Sequence, residues 1–235
     1  MSNEGSLGHA ILSQLPNDFG GINLIELGDD LGAANGVAET GSASRSWLSR
    51  LSTSRANLWA ANFVDFSCPV LFGYLGWRRH PGWESIVVSS LFGLFVFTFV
   101  EYVIHRWLLH SPKSIFYPLH EAHHKAPEAV SAGLFPQSFV VLMPVWLLLT
   151  YAFHLRGASF FLCGFSAGNF YFGMLHYLEH SVRINQIPWR WLQGRWAAHG
   201  VHHKLDHTNY GVMTSFWDYV FGTHQRQVKR KAMQA

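Results

Sequence analysis

The sequence predicts an all-α integral membrane protein whose four transmembrane helices form two hairpins. Three observations predict it. Of 235 residues, 49% are hydrophobic and only 13% are Asp, Glu, Lys or Arg, about half the charge of an average soluble domain. Four apolar stretches, 58–76, 86–104, 134–155 and 158–178, each approach the roughly 20 residues that a helix needs to cross hydrocarbon. With four crossings, 14 of the 17 Lys and Arg fall on one side, which the positive-inside rule makes the cytoplasm.

Each stretch has its own boundary signals. Residues 1–46 precede the first span and include the run GDDLGAANGVAETGSASRS, which has no apolar period and reads as a flexible arm. No basic region precedes a continuous apolar core there, so a cleavable secretory signal is not expected. The first two spans are separated by WRRHPGWES, with Trp77 and Trp83 placed as interface anchors. The third and fourth are joined by little more than Arg156-Gly157, a tight hairpin with glycine as the helix breaker. The membrane unit is drawn over 47–225 and a basic tail over 226–235. Cys68 and Cys163, the two cysteines, fall inside spans and read as small packing residues. So few cysteines exclude a disulfide scaffold or a four-cysteine zinc site, and a net charge of +3 excludes a dedicated nucleic-acid binder.

Fifteen histidines outnumber the fourteen acidic residues. Ten of them form four groups: His105 and His110; His120, His123 and His124; His176 and His180; His199, His202 and His203. All four groups lie on the positive-rich side, because the 134–178 hairpin leaves the membrane surface and returns. Residues three and four apart share a helix face, so each H-x-x-H-H can aim two or three ring nitrogens at one point, as can His176 with His180. His105 and His110 are five apart and do not share a face of an ideal helix. They grip different metals, or the helix ends between them. Imidazole suits iron, copper, nickel and zinc, and ten rings exceed the needs of one ion, so two metals are expected. A structural zinc cluster would use cysteine and fewer ligands, and a metal transporter would place ligands near mid-membrane. His9, His80, His154 and His224 are read as ordinary core or surface residues. Second-sphere carboxylates that orient imidazoles are sought in Glu101, Glu121, Glu179 and Asp206. Asp65, inside the first span, is read as a helix cap or polar partner.

The segments EYVIHRWLLH (101–110), LHEAHHKAP (119–127), LHYLEH (175–180), HGVHHKLDHTNYGV (199–212) and WDYVFGT (217–223) resemble the membrane fatty acid hydroxylase and sterol desaturase superfamily, and within it the fatty acid 2-hydroxylases most. The resemblance covers roughly residues 58–225. It implies a four-span fold with a cytosolic helical cap, and two iron ions held by the ten grouped histidines, with zinc able to occupy the site in a purified protein. It further implies O2 as co-substrate and hydroxylation of an unactivated C–H bond of a lipid, most naturally a fatty acyl chain. Desaturation, or a sterol or carotenoid substrate, is the alternative. A non-redox membrane metalloprotein is the competitor from another class. His207, Asn209 and Tyr210 fall in the matching stretch and are placed outside the ligand set. Nothing in the chain resembles the cytochrome b5 that some relatives carry, so a separate electron carrier of ferredoxin or cytochrome b5 type is expected. The compact form leans towards a bacterial inner membrane over the endoplasmic reticulum. The aromatic spans and the Trp- and Arg-rich 187–196 segment are candidates for a lipid entrance.

Overall fold

The computed structural model describes residues 51, 54–79, 82–127 and 133–226. The expectations for the arm at 1–46, for His9 and His80, and for the tail beyond Arg226 lie outside these residues. Among the described residues there are seven α-helices and no strand: α1 (Arg55–Trp77), α2 (Trp83–Val103), α3 (Tyr117–Lys125), α4 (Gln137–Leu147), α5 (Ala158–Ser181), α6 (Arg190–Lys204) and α7 (Phe216–Val220). Two π-helical turns extend α2 and α4, over Ile104–Leu109 and Leu148–Ala152.

Three of these helices are long and apolar enough to cross a membrane: Arg55–Trp77, α2 with its π turn (Trp83–Leu109), and Ala158–Ser181. The third expected span, 134–155, is shorter than drawn, with its helix running only over Gln137–Ala152. Pro136 has no N–H for a helix interior and disfavours helix in the residue before it, so helix starts at Gln137. At the other end His154, two residues beyond Ala152, takes a positive φ of 51°, a conformation that no helix can continue through. Sixteen residues rise about 24 Å, short of the roughly 30 Å hydrocarbon core.

Packing explains why α5 sits at the centre. Of its most apolar stretch 44% is buried in protein, against 11% for α1. The α1–α5 and α2–α5 packings are the most extensive helix contacts. Cys68 and Phe72 of α1, Leu142 and Trp146 of α4 and Leu162 of α5 make one core, so the expected packing role of Cys68 holds. Lipid is as apolar as leucine, so spans associate through close backbone approach and buried polar contacts rather than hydrophobicity. Both devices are present. A Cβ on Gly93 would stand 1.9 Å from the Phe161 carbonyl oxygen, and one on Gly164 the same distance from that of Ser90. In a second device Ser138 Oγ donates to Asp65 Oδ1 at 2.5 Å, and Asn169 Nδ2 donates to Ser138 Oγ at 3.1 Å. These bonds tie α1, α4 and α5 together and give Asp65 the polar partner that its position demands.

The glycine contacts make a sharp test. Gly164→Val forces apart two backbones in van der Waals contact, a strain beyond ordinary overpacking. The folded protein in detergent is expected to lose more than about 3 kcal/mol of stability, read as a lowered melting temperature.

Parallel α2 and α5 end on the same side. There α3 and α6 follow them, and a second core of Leu175, Ile187, Trp196 and Val212 fixes α6 against the end of α5.

Candidate metal centre

The histidine helices end where they do for local reasons. A π turn closes with i→i+5 bonds, and the His110 N–H donates to the His105 carbonyl at 3.2 Å. Residues five apart thereby come to one face, and the two rings lie 5.2 Å apart. Of the two expectations one holds and one is corrected: the helix does end between them, at Leu109 with His110 as its cap, but the two rings join one group rather than serving different metals.

Ten side chains form two groups of five, one of His105, His110, His120, His124 and His202, the other of His123, His176, His180, His199 and His203. In each group one nitrogen per ring lies within 4.8 Å of all the others. The ten are the ten histidines that the spacing singles out. Of the two or three rings that each H-x-x-H-H can aim at one point, two do so and the third joins the other group. The outer pair of α3, His120 and His124, joins the first group while His123 crosses to the second. The outer pair of α6, His199 and His203, joins the second while His202 crosses to the first. At about 100° per residue, positions i and i+4 lie about 40° apart and i+3 swings to the other side. The groups adjoin, with the rings of His124 and His203 stacked 4.4 Å apart.

Facing Nε2 atoms approach closely. The separations are 3.1 Å for His105–His120, 2.9 Å for His110–His120, 3.1 Å for His120–His124 and 3.1 Å for His110–His202. In the second group they are 3.3 Å for His176–His180, 3.0 Å for His180–His199 and 3.1 Å for His199–His203. Both ring nitrogens of His123 are buried without a hydrogen-bond partner.

Burial and the neighbouring imidazoles keep the rings beyond the spans neutral. They depress His110 to about 4, His123 to about 3 and His120 to about 2, and push His199 and His203 well down. In His202 burial outweighs a backbone bond and leaves it at about 3. Two of the rings are also oriented. His105 Nδ1–H donates to the Tyr210 carbonyl, and His202 Nδ1–H to the Thr208 carbonyl at 2.7 Å. Each Nε2 therefore presents a lone pair to its group.

Neutral rings with lone pairs about 3 Å apart repel unless a cation lies between them. A metal–nitrogen bond of about 2.1 Å puts neighbouring ligands of a five- or six-coordinate ion about 3.0 Å apart, the spacing observed. The residues fit a pair of transition-metal ions, and an all-imidazole donor set suits iron, copper, nickel or zinc.

The carboxylates sort differently from expectation. Glu179, with no exposed side-chain surface, places Oε2 3.6 Å from His199 Nδ1. Glu101 is buried one turn before His105, but its Oε1 accepts the Val212 N–H at 2.6 Å rather than an imidazole. Asp206 is exposed, and its charge reaches His110 and His124. Glu121 turns outward to Lys125 at 2.9 Å. His224, read as ordinary, stacks on Tyr219 at 4.0 Å.

Three residues outside the expected set hold the centre together. Asp218, wholly buried, accepts from the Tyr210 N–H (2.8 Å), the Gly211 N–H (3.0 Å) and Thr223 Oγ1 (2.8 Å). It thereby fixes the segment that offers its carbonyl to His105. Arg195 donates to the Gly211 and Val212 carbonyls and to Ser215 Oγ, and its guanidinium acts on the buried Glu101 and Glu179 carboxyls. Thr208 is the third, through its carbonyl. The sequence signals for Asp218 and Thr208 are their places in WDYVFGT and HGVHHKLDHTNYGV; Arg195 lies in the 187–196 segment, which reads only as a lipid entrance. Asn209, expected outside the ligand set, takes φ 49° and donates from Nδ2 to the Ala198 and Gln225 carbonyls.

The depressed histidines have a thermodynamic consequence for the metal-stripped chain. Unfolded, these rings take a proton near pH 6.5, whereas folded His110 resists to about 4 and His123 and His202 to about 3. In that window the unfolded chain binds more protons, so stability rises with pH. It is complete above the unfolded value and lost as pH falls through the window. The melting temperature of chelator-treated protein is expected to drop steadily between about pH 6.5 and 4 and to stay level above about pH 7.

Comparison with known proteins agrees with this geometry. The chain is 31% identical over 140 residues to a dihydroceramide fatty acyl 2-hydroxylase of Arabidopsis thaliana, covering 56% of this chain and 58% of that one. It is 30% identical over 170 residues to a ceramide very long chain fatty acid hydroxylase of Schizosaccharomyces pombe, covering 66% and 47%. Against a fatty acid 2-hydroxylase of Rattus norvegicus it is 30% identical over 153 residues, covering 60% and 40%. The chain thus spans about half the length of these relatives. All three are eukaryotic and give the bacterial expectation no support. The solved structure of full-length scs7p, in which only the hydroxylase domain is visible, superposes with a TM-score of 0.63 at 24% identity over 76% of this chain and 70% of that one, and so shares the fold. The fatty acid hydroxylase family model matches residues 90–223, more than half of the chain and a stretch containing all ten grouped histidines, and the chain belongs to that family.

Proposed function

We propose that this chain is an O2-dependent membrane oxygenase that hydroxylates a lipid, with a fatty acyl chain as substrate and two iron ions as cofactor. The observation that carries the reading is the pair of five-imidazole groups with facing Nε2 atoms about 3 Å apart. The 2-hydroxylase relatives supply the reaction class. An iron pair, when bound, supplies the O2 reduction and C–H cleavage that no side chain performs alone.

The chain's own part is to hold, orient and shield. His105, His110, His120, His124 and His202 hold one ion, and His123, His176, His180, His199 and His203 the other. Carbonyls of Tyr210 and Thr208 fix the tautomers of His105 and His202, and Glu179 lies against His199. Glu101 acts at one remove, by anchoring Val212, and Asp206 supplies negative charge beside His110 and His124.

The membrane unit is residues 47–225, with its histidine cap on the cytoplasmic face, where the positive residues gather. Since α2 and α5 both end at the histidines, the chain must return between Leu109 and Ala158. The shorter apolar helix Gln137–Ala152 supports a fourth crossing there. Electrons come from a carrier of ferredoxin or cytochrome b5 type.

Lipid mass spectrometry of a host expressing the chain or its His203→Ala variant tests the reading. A lipid gaining one oxygen, absent with the variant, is expected. A product lacking two hydrogens would make the chain a desaturase, and a metal centre holding only zinc and inert to O2 after reduction would overturn the oxygenase.

A further inference from the structure

One hydrogen-bond chain beside the first histidine group has every donor assigned. Arg106 Nη1–H donates to the Tyr102 phenolic oxygen at 2.9 Å, and a guanidinium accepts nothing. The Tyr102 proton therefore points to its other partner, Thr223 Oγ1 at 3.0 Å. Thr223 in turn donates to Asp218 Oδ1 at 2.8 Å. A wholly buried phenol is thus wired through one hydroxyl to a wholly buried carboxylate.

The same phenol lies in a file of aromatic rings. Tyr210 stands 5.3 Å from His110, 5.7 Å from His202 and 5.8 Å from His105. Tyr102 is 6.0 Å from Tyr210, and Trp107 is 6.4 Å from Tyr102. Trp107 reaches the surface, 49% exposed, with the Arg106 guanidinium 5.2 Å from its ring. Oxidising a tyrosine at neutral pH requires that the phenolic proton leave with the electron, and of these rings Tyr102 has the proton acceptor in place.

We propose that Tyr102 is a redox-active tyrosine that discharges the oxidised metal pair when no lipid is there to receive the oxidation. This rests on the redox-metal reading above. In each discharge Tyr102 gives up one electron, by way of the Tyr210 ring, to the oxidised metal pair that the histidines would hold. The Tyr102 O–H bond breaks, its proton passes to Thr223 Oγ1, and the Thr223 proton passes to Asp218. The neutral tyrosyl is restored when a one-electron reductant, such as ascorbate or the electron carrier, delivers an electron at Trp107 and the protons return.

The test uses full-length, iron-loaded protein in detergent, reduced anaerobically and mixed with O2 without lipid, followed by electron paramagnetic resonance. A tyrosyl signal is expected, narrowed when the protein is grown with ring-deuterated tyrosine. It should be lost in Tyr102→Phe, lost or strongly reduced in Thr223→Val, and unchanged in Tyr151→Phe, which lies on the far side of the spans. A signal that survives Tyr102→Phe, or is indifferent to Thr223→Val, overturns the proposal. Iron content and lipid product in the same preparation report separately on the oxygenase. An iron-loaded, lipid-hydroxylating chain that forms no tyrosyl sinks the discharge route alone, and a chain without redox metal sinks both.

Discussion

Replacing His202 by alanine is expected to cut bound metal from about two ions per chain to about one and to reduce lipid oxidation by at least about 100-fold. The reason is the crossing of ligands. His202 sits on α6 among residues of the second group, yet its Nε2 faces His110 at 3.1 Å. Its loss leaves the first group four rings, all carried by α2, its π turn and α3, with no tie to α6. His123→Ala is the reciprocal case and should empty the second group. If each helix instead served its own metal, His202→Ala would deplete the ion held by His199 and His203. Metal analysis of His202→Ala and of His202→Ala combined with His176→Ala separates the two outcomes. With crossed ligands the double variant loses both ions, and with uncrossed ligands it still holds one.

Asp218→Ala is expected to lower stability by on the order of 3 kcal/mol or more, because two backbone N–H groups and a hydroxyl lose their acceptor in a buried site. The effect should reach the metal. Asp218 holds the Tyr210 segment, and the Tyr210 carbonyl fixes His105, so metal affinity is expected to fall by about 10–100-fold, as for other outer-sphere losses. Asp218→Asn keeps one acceptor oxygen but turns an amide donor towards an N–H or hydroxyl donor, and should fall between wild type and Asp218→Ala. Unfolding curves and metal titrations measure the two effects separately. Unchanged metal affinity in a destabilised Asp218→Ala protein would leave the residue a purely structural anchor.

Much of this centre is legible in the residues themselves. Ten histidines in four groups, and their return to one side through an apolar hairpin, follow from spacing and hydropathy. The partition does not, because H-x-x-H-H on a helix is compatible with one focus or two, and only the placement of α3 against α6 decides. The pairing of His105 with His110 was hidden for another reason: a π turn leaves no mark on the residue pattern. Hydropathy makes the third span too long because it registers Leu134 and Phe153 as apolar but not the Pro136 and His154 geometry that ends the helix. The single helical turn between Glu101 and His105 suggests an imidazole partner for the carboxyl. Its partner Val212 lies 111 residues away and becomes visible only in the fold.

The crossed ligands also set an order of events during synthesis. When the ribosome has delivered residue 124, four rings of the first group exist and only one of the second. Neither set of five closes until His202 and His203 emerge, next to one another, about 80 residues later. Both metal cages are therefore completed by consecutive residues at the end of the same helix. If the groups hold the metals proposed above, the growing chain carries neither complete ligand set while its apolar helices are still being inserted.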